Sequence, residues 1–309
     1  MILEPRPFRD DQDLEKMRAV LIQGRRANSP TFYVHVGDLS WWLFYLDQAA
    51  DRRQRIYLWE KEYTGGPIIG WSLFSPRFPA FDVFVHPAER NSRQAWHMLT
   101  WTEERMSEMA RAQGSQALRT MWVSEGDSEL IAHLERRGLW RSDDYLLCMA
   151  RPLNDVIPAP RLPEGYGVRH IAGEHELVQR AAASHAAFGS GKPFELYCRD
   201  YLQFMRSPVY APDLDLVVVA PSGQFAAFGI CWLDGVNKVG LFEPVGTHPD
   251  WQGQGLGKAV LCEGLRRMKE RGMTTANVCV EHDNRAARRL YESVGFNAVR
   301  KIHTYVKDL

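Results

Sequence analysis

Six residues, Gln252-Gly253-Gln254-Gly255-Leu256-Gly257, decide how this chain is read. An apolar, strand-like run from Val239 to Val245 leads into a turn at His248-Pro249-Asp250, and the glycines follow. After them Val260, Leu261, Gly264, Leu265 and Met268 recur at helical spacing on one face. Strand, glycine loop and helix together present backbone N–H groups at a helix N-terminus. There the dipole favours an anion, and the missing Cβ atoms let it come close. The loop is a phosphate-binding candidate of a particular kind. A Walker loop needs glycine where Gln252 stands and Ser or Thr where Ala259 stands, and a dinucleotide fingerprint needs a third glycine in place of Lys258.

The downstream sequence narrows the choice. The helix stops at Gly272, and Ala276 to Val280 reads as a strand. The stretch from Asn284 to Phe296 then reads as a short helix, with Asp283 or Asn284 as its cap and Ala287, Leu290, Tyr291 and Val294 on one side. Gly295 supplies a left-handed C-terminal residue, and Phe296 folds back on the last turn. Gln252, Gly255 and Gly257 in the pattern Q/R-x-x-G-x-G/A, followed by Asn284, Ala287, Leu290, Tyr291, Gly295 and Phe296, resemble the two signatures of the GNAT superfamily of N-acetyltransferases. The likeness covers the chain from about Tyr166 to its end closely, and the first half only in outline.

That resemblance implies acetyl-CoA as co-substrate and assigns the residues roles. Backbone N–H groups of Gly253, Gly255, Leu256, Gly257 and Lys258 would hold the pyrophosphate, and Gln252 would position the loop or a phosphate oxygen. Val245 and Thr247 would pair through their backbones with the pantetheine arm as if it were an added strand. A backbone N–H near Val245 would polarise the thioester carbonyl, a donor worth roughly 3 kcal/mol of barrier in such sites. Asn284 would bind the pantetheine or cap its helix, and Tyr291 would protonate the departing thiolate, packing on the sheet being its structural alternative. Glu243 is the candidate general base. It lies two residues before Val245, so simple alternation puts both on one face of the strand; a solvated strand-edge glutamate is the alternative. The His248-Pro249 pair recurs as His86-Pro87, which indicates a turn rather than chemistry.

The 309 residues suffice for two domains, and 45% hydrophobic with 25% charged residues is a soluble globular composition. Lys plus Arg equals Asp plus Glu at 38 each, so no basic field argues for nucleic acid. No apolar run approaches membrane-spanning length and no signal-peptide core opens the chain, which gives the expectation of a cytoplasmic protein with no membrane partner. Five scattered cysteines form no C-x-x-C pair, so neither a metal site nor a disulfide framework is expected.

One pattern is written twice. Strands at Ile56–Trp59, Ile68–Phe74 and Phe81–Val85 flank a turn at Thr64-Gly65-Gly66-Pro67; a helix over Ser92–Ala112, a strand over Ala117–Val123 and a short helix stopped at Gly138 follow. Against the second copy, the first has Arg90 for Gln252, Arg93 for Gly255, Ala95 for Gly257, Asp127 for Asn284 and Leu134 for Tyr291. A bulky Arg93 at a position of close approach argues against a pyrophosphate there. The aromatic segment with Phe32, Tyr33, Trp41, Trp42, Phe44 and Tyr45 reads as core or interface, and the region Phe188 to Tyr210 as aromatic and less regular. Four prolines between Arg151 and Gly165 mark a linker.

The expectation is an α/β (α+β) protein of two tandem GNAT-like domains, each a mixed, mostly antiparallel sheet flanked by helices. Residues 1–152 form a degenerate domain without a cofactor loop, 153–165 the linker and 166–309 the catalytic domain. The resemblance implies acyl transfer from acetyl-CoA, without a metal, to a primary amine of a small molecule by direct attack in a ternary complex. A non-catalytic acyl-CoA-binding module and a protein lysine acetyltransferase are the alternatives, and a homodimer is the assembly considered.

Overall fold

The structure, a computed structural model, describes residues 2–27, 33–61 and 66–309, except for the side chains of Arg26 and Ala27. Phe32 and the Thr64-Gly65 half of the expected turn lie outside the described residues. In chain order the elements are β1 (Arg6–Pro7), α1 (Asp11–Ala27), α2 (Val36–Trp41), a π-helical turn (Trp42–Leu46), α3 (Arg52–Arg55), β2 (Ile56–Glu60), β3 (Ile68–Ser75), β4 (Ala80–Val85), α4 (Arg93–Ala112), β5 (Ala117–Ser124), α5 (Ser128–Arg136) and β6 (Trp140–Pro152). After an irregular stretch come β7 (Gly167–His170), α6 (Leu177–Ala187), α7 (Phe194–Met205), β8 (Asp215–Val219), β9 (Phe225–Asp234), β10 (Val239–Thr247), α8 (Leu256–Glu270), β11 (Thr275–Glu281), α9 (Arg285–Glu292) and β12 (Asn297–Asp308).

The chain divides into two compact units that do not follow the sequence halves. One comprises Met1–Val36, Ala49–Leu147 and Arg300–Leu309; the other comprises Gly37–Gln48 and Cys148–Val299. The boundaries drawn from the sequence differ at three places. Residues 148–152, assigned to the first domain, and the linker 153–165 both belong to the second unit. Residues 300–309, assigned to the second domain, form a strand of the first unit, and residues 37–48, assigned to the first domain, belong to the second unit. Continuous-segment reasoning had no means to place either exchange, because each is decided by pairing and packing far away in sequence.

In the first unit β1, β2, β3 and β4 pair antiparallel, β4 meets β5 in parallel at Ala80 and Arg119, and the end of β12 pairs antiparallel with β5 from Ile302 to Asp308. Helix α4 turns Ala95, Met98, Met106 and Ala110 onto Trp59, Phe74, Phe81, Leu118 and Tyr305, so the stripe spaced for a helix meets the alternating face of the sheet.

In the second unit the order β11-β10-β9-β8-β7 is antiparallel except for β10 and β11, which run parallel. Helix α8 buries Val260, Leu261, Gly264, Leu265 and Met268, the face expected from their spacing. Gly264 is required by contact: a Cβ there would lie 2.4 Å from the Phe242 ring. The region after Phe188 is more regular than its sequence suggested, because α7 turns Tyr197, Tyr201 and Phe204 inward. Trp41 packs with Tyr201, Phe204, Ile230, Trp232 and Leu241, with Trp42, Phe44 and Tyr45 against them. That part of the aromatic segment is in this unit, while Tyr33 packs on Trp71 and Phe84 of the first.

A fully buried ion pair ties α6 to β8. Arg180 Nε donates to Asp215 Oδ1 at 2.8 Å, and the hydroxyls of Tyr201 and Tyr210 donate to Asp215 Oδ2 at 2.6 and 2.9 Å. The guanidinium lies 4.1 Å from the Phe228 ring centroid and 4.9 Å from that of Tyr201. A charge taken out of water needs these partners, and the arrangement fixes the helices that wall the sheet edge.

Candidate active site

The glycine loop takes the form its composition implies. Gly253 and Gly255 both have φ +78°, a backbone conformation that glycine alone adopts without strain. Gly255 is the N-cap of α8 and supplies no side chain to the helix N-terminus. The first N–H groups of α8 lack acceptors within their own helix, so they are directed out of the loop as an anion cradle. Gly257 is held for room: a Cβ would stand 3.0 Å from Thr247 Oγ1 and 3.2 Å from Leu290 Cδ2. The side chain of Gln252 turns back and donates to the Thr247 carbonyl at 3.3 Å, which ties the loop to the end of β10. His248 Nδ1 accepts from the Asp250 N–H at 3.3 Å, and His86 Nδ1 accepts from Ala88 N–H at 3.2 Å, so both His-Pro pairs build the same turn.

Beside this loop the sheet opens. β10 and β11 pair from Val239 and Thr275 to Leu241 and Asn277, and no pairing between them is found beyond that point although both strands continue. On its other side β10 stays bonded to β9, with Val245 opposite Gly229 and Thr247 opposite Ala227. The stretch with Val245 and Thr247 therefore presents a backbone edge toward the gap, the geometry that accepts an extended chain as an added strand.

Glu243 sits where the strands part, but not as simple alternation placed it. The register of β10 on β9 shifts between Phe242 and Val245, across a cis Glu243-Pro244 bond. Pro244 has no N–H for the ladder, so the two-residue rule that put Glu243 and Val245 on one face does not carry through. The Glu243 carbonyl instead accepts from Trp232 Nε1 at 2.7 Å. Burial, then the nearby charge of Asp38, push the Glu243 carboxyl up to about 8.

Tyr291, on α9, is 6% exposed, and its hydroxyl is pushed up by burial and by the charges of Glu243 and Cys279. It packs edge-on to Phe296 at 6.1 Å, and Phe296 in turn meets Phe242 at 6.3 Å. The Phe296 N–H donates to the Tyr291 carbonyl at 3.1 Å and Gly295 has φ +89°, the helix stop expected from the Gly-Phe pair. Asn284 is the N-cap of α9, its Oδ1 accepting from the Ala287 N–H at 3.0 Å. The structure thus brings Glu243 and Tyr291 into electrostatic range of each other. Val245, Thr247, Gln252 and the glycines line the neighbouring edge, and Asn284 serves the helix.

Three neighbours escaped the sequence. Asp38 comes from the exchanged segment, Trp232 holds the Glu243 carbonyl, and Cys279 stands on β11 across the opening. A Cβ on Gly37 would lie 2.4 Å from Trp232, so Asp38 is delivered by close packing of α2 on β9. The one signal was the aromatic density around Trp41, which marks a segment buried somewhere without saying where.

A mycothiol acetyltransferase of Geodermatophilus obscurus is 33% identical to this protein over 236 residues, which cover 70% of this chain and 69% of that one. The chain belongs to the GNAT acetyltransferase family. The acetyltransferase (GNAT) family model matches residues 182–296, the span that holds the glycine loop and Tyr291. A mycothiol acetyltransferase of Saccharomonospora viridis is 29% identical over 254 residues, 77% of this chain and 79% of that one. A solved tandem GNAT protein from the clavulanic acid biosynthesis pathway superposes with a TM-score of 0.70 at 15% identity, covering 99% of this chain and 98% of that one. At that identity the likeness speaks for the fold, and it is a tandem GNAT fold. This GNAT chain is an N-acetyltransferase, and among its described residues no helix is long and apolar enough to cross a membrane and no cluster of side chains suits a metal ion.

Proposed function

We propose that the second unit moves the acetyl group of acetyl-CoA to a primary amine of a small molecule by direct attack in a ternary complex. The observation that carries this reading is the joint placement of Glu243 and Tyr291 at the mouth of the β10–β11 opening, next to a helix N-terminus left open by Gly255. When acetyl-CoA is bound it supplies the thioester; the residues supply orientation and proton transfer. Backbone N–H groups from Gly253 to Lys258 hold the pyrophosphate, and the edge at Val245 and Thr247 holds the arm. Glu243, in its ionised form, takes a proton from the incoming ammonium. Tyr291, kept protonated by its surroundings, gives one to the departing sulfur. The name of the relatives makes the unacetylated form of mycothiol the first acceptor to try.

The test is release of CoA from acetyl-CoA in the presence of that acceptor and a panel of small amines, read with a thiol reagent. Acetylated amine should form in step with CoA, and Tyr291→Phe should bind acetyl-CoA as the wild type does while turning over far more slowly. CoA release that is independent of every amine, or an acetylated protein as the isolated intermediate, would contradict direct transfer.

A further inference from the structure

Cys148 and Cys279 both belong to the second unit, on the neighbouring strands β6 and β11, and their side chains are hydrogen-bonded to each other. Where the two strands separate, the Leu153 N–H donates to the Thr274 carbonyl at 2.8 Å. Five residues back from Leu153 is Cys148, and five residues on from Thr274 is Cys279, so both contacts fit one antiparallel register. A bond from the Leu153 N–H to the Thr274 carbonyl marks a hydrogen-bonding position of an antiparallel ladder, although the Thr274 N–H itself turns to the Lys238 carbonyl. An odd number of steps away, Cys148 and Cys279 fall at a non-hydrogen-bonding position. Such positions bring Cα atoms to about 4.5 Å with their side chains close, within the span a disulfide bridges. Cys148 is buried, while Cys279 keeps partial exposure toward the opening that holds Glu243 and Tyr291.

We infer that Cys148 and Cys279 are a redox modification site, a cross-strand dithiol that a peroxide closes to a disulfide beside the acyl-transfer centre. Hydrogen peroxide oxidises one thiol to a sulfenic acid as its O–O bond breaks and water leaves. The second sulfur then attacks the first, an S–S bond forms, and a second water leaves; two thiols and one peroxide give one disulfide and two waters. The hydrogen bond with Cys148, then burial, push the Cys279 thiol up, so that sulfur rests protonated and reacts slowly with alkylating reagents. Once one is oxidised its partner is already in place, and ring closure outruns further oxidation. The bond closes a loop of about 130 residues, nearly the whole second unit, so the oxidised protein is the more heat-resistant form. It also removes the Cys279 thiol, which interacts electrostatically with Glu243 and Tyr291, and so changes the surroundings of both. That consequence for activity rests on the proposed function; the cross-link does not.

The experiment treats the full chain with hydrogen peroxide at stepped pH and follows three readouts: peptide mapping without reductant, melting temperature, and acetyl transfer. The expected result is a Cys148–Cys279 linked peptide forming faster as pH rises, with a higher melting temperature. Transfer activity should fall at least tenfold and return with dithiothreitol. Cys148→Ser, which removes only the buried partner, should keep its activity in peroxide and show no linked peptide. Thiols at both positions that persist while Cys198 or another cysteine is oxidised would overturn the site. A linked peptide with unchanged activity would overturn the switch but leave the modification. If the reduced chain transfers nothing to any amine, the functional reading fails, and the linked peptide still decides this one.

Discussion

The two units build the same turn and the same helix start, and then finish them differently. In the first, Ser92 Oγ accepts from the Ala95 N–H at 3.1 Å and caps α4 from within. Arg90 is ion-paired with Asp127, so the charged residue at the place of Gln252 is already engaged. A cleft of about 310 Å³ lies there, lined by Val83, Val85, Arg90, Trp96 and Asp127 among others. In the second unit the N-cap is Gly255, the loop carries two left-handed glycines, and the cap residue offers the helix N-terminus no side chain. The difference teaches what makes a phosphate cradle. The strand–turn–helix frame is common to both; vacancy at the cap is what only one of them has.

The strongest way to sharpen this contrast is to exchange equivalent positions on α5 and α9. Tyr291→Phe should lower kcat by roughly two to four orders of magnitude while binding of acetyl-CoA and the melting temperature hardly change, because it removes a proton donor and little packing. Leu134, its counterpart, is 2% exposed in the first unit's core. Leu134→Ala should instead cost about 2–5 kcal/mol of stability in denaturant titration and leave the kcat of the folded protein intact. Equal effects of both changes on kcat would erase the distinction between the units.

The next effect is on pH. With its carboxyl held up at about 8, Glu243 is mostly protonated at neutral pH, so kcat/KM should climb as pH rises through that value. Asp38→Asn removes the neighbouring negative charge and should move the rising limb to lower pH. The sign for stability is the reverse. A carboxyl whose folded pKa is raised favours the fold while protonated, and that contribution fades between its ordinary range near 4.5 and about 8. Glu243→Gln cannot ionise, so its melting temperature relative to the wild type should improve from pH 5 to pH 8. A gap that stays constant over that window would place Glu243 in ordinary solvent. The smallest effect expected is that of Ser92→Ala, about 1 kcal/mol of stability from the lost cap, with acetyl transfer unchanged.

Much of this was readable because its causes are local. Positive φ forces glycine at 253 and 255, and the Gly295-Phe296 pair both announces and makes a helix stop. The α8 stripe from Val260 to Met268 follows from periodicity alone. What stayed hidden depends on distant partners. Residues 37–48 and 300–309 are exchanged between units, so Asp38 had no visible connection to Glu243. Alternation failed at Glu243 because Pro244 interrupts the ladder at the point where the strand leaves its neighbour. Cys148 and Cys279 are far apart in sequence and meet through strand register.

The measurement that bears most directly on the central claim is calorimetric titration of acetyl-CoA into the wild type and into Gly255→Arg. Arginine cannot take φ +78° without strain, and it places a side chain where the helix N-terminus is open. One site per chain in the wild type and none in the variant is the expected result. Two sites, or one site that survives the substitution, would contradict a single live cradle at the start of α8.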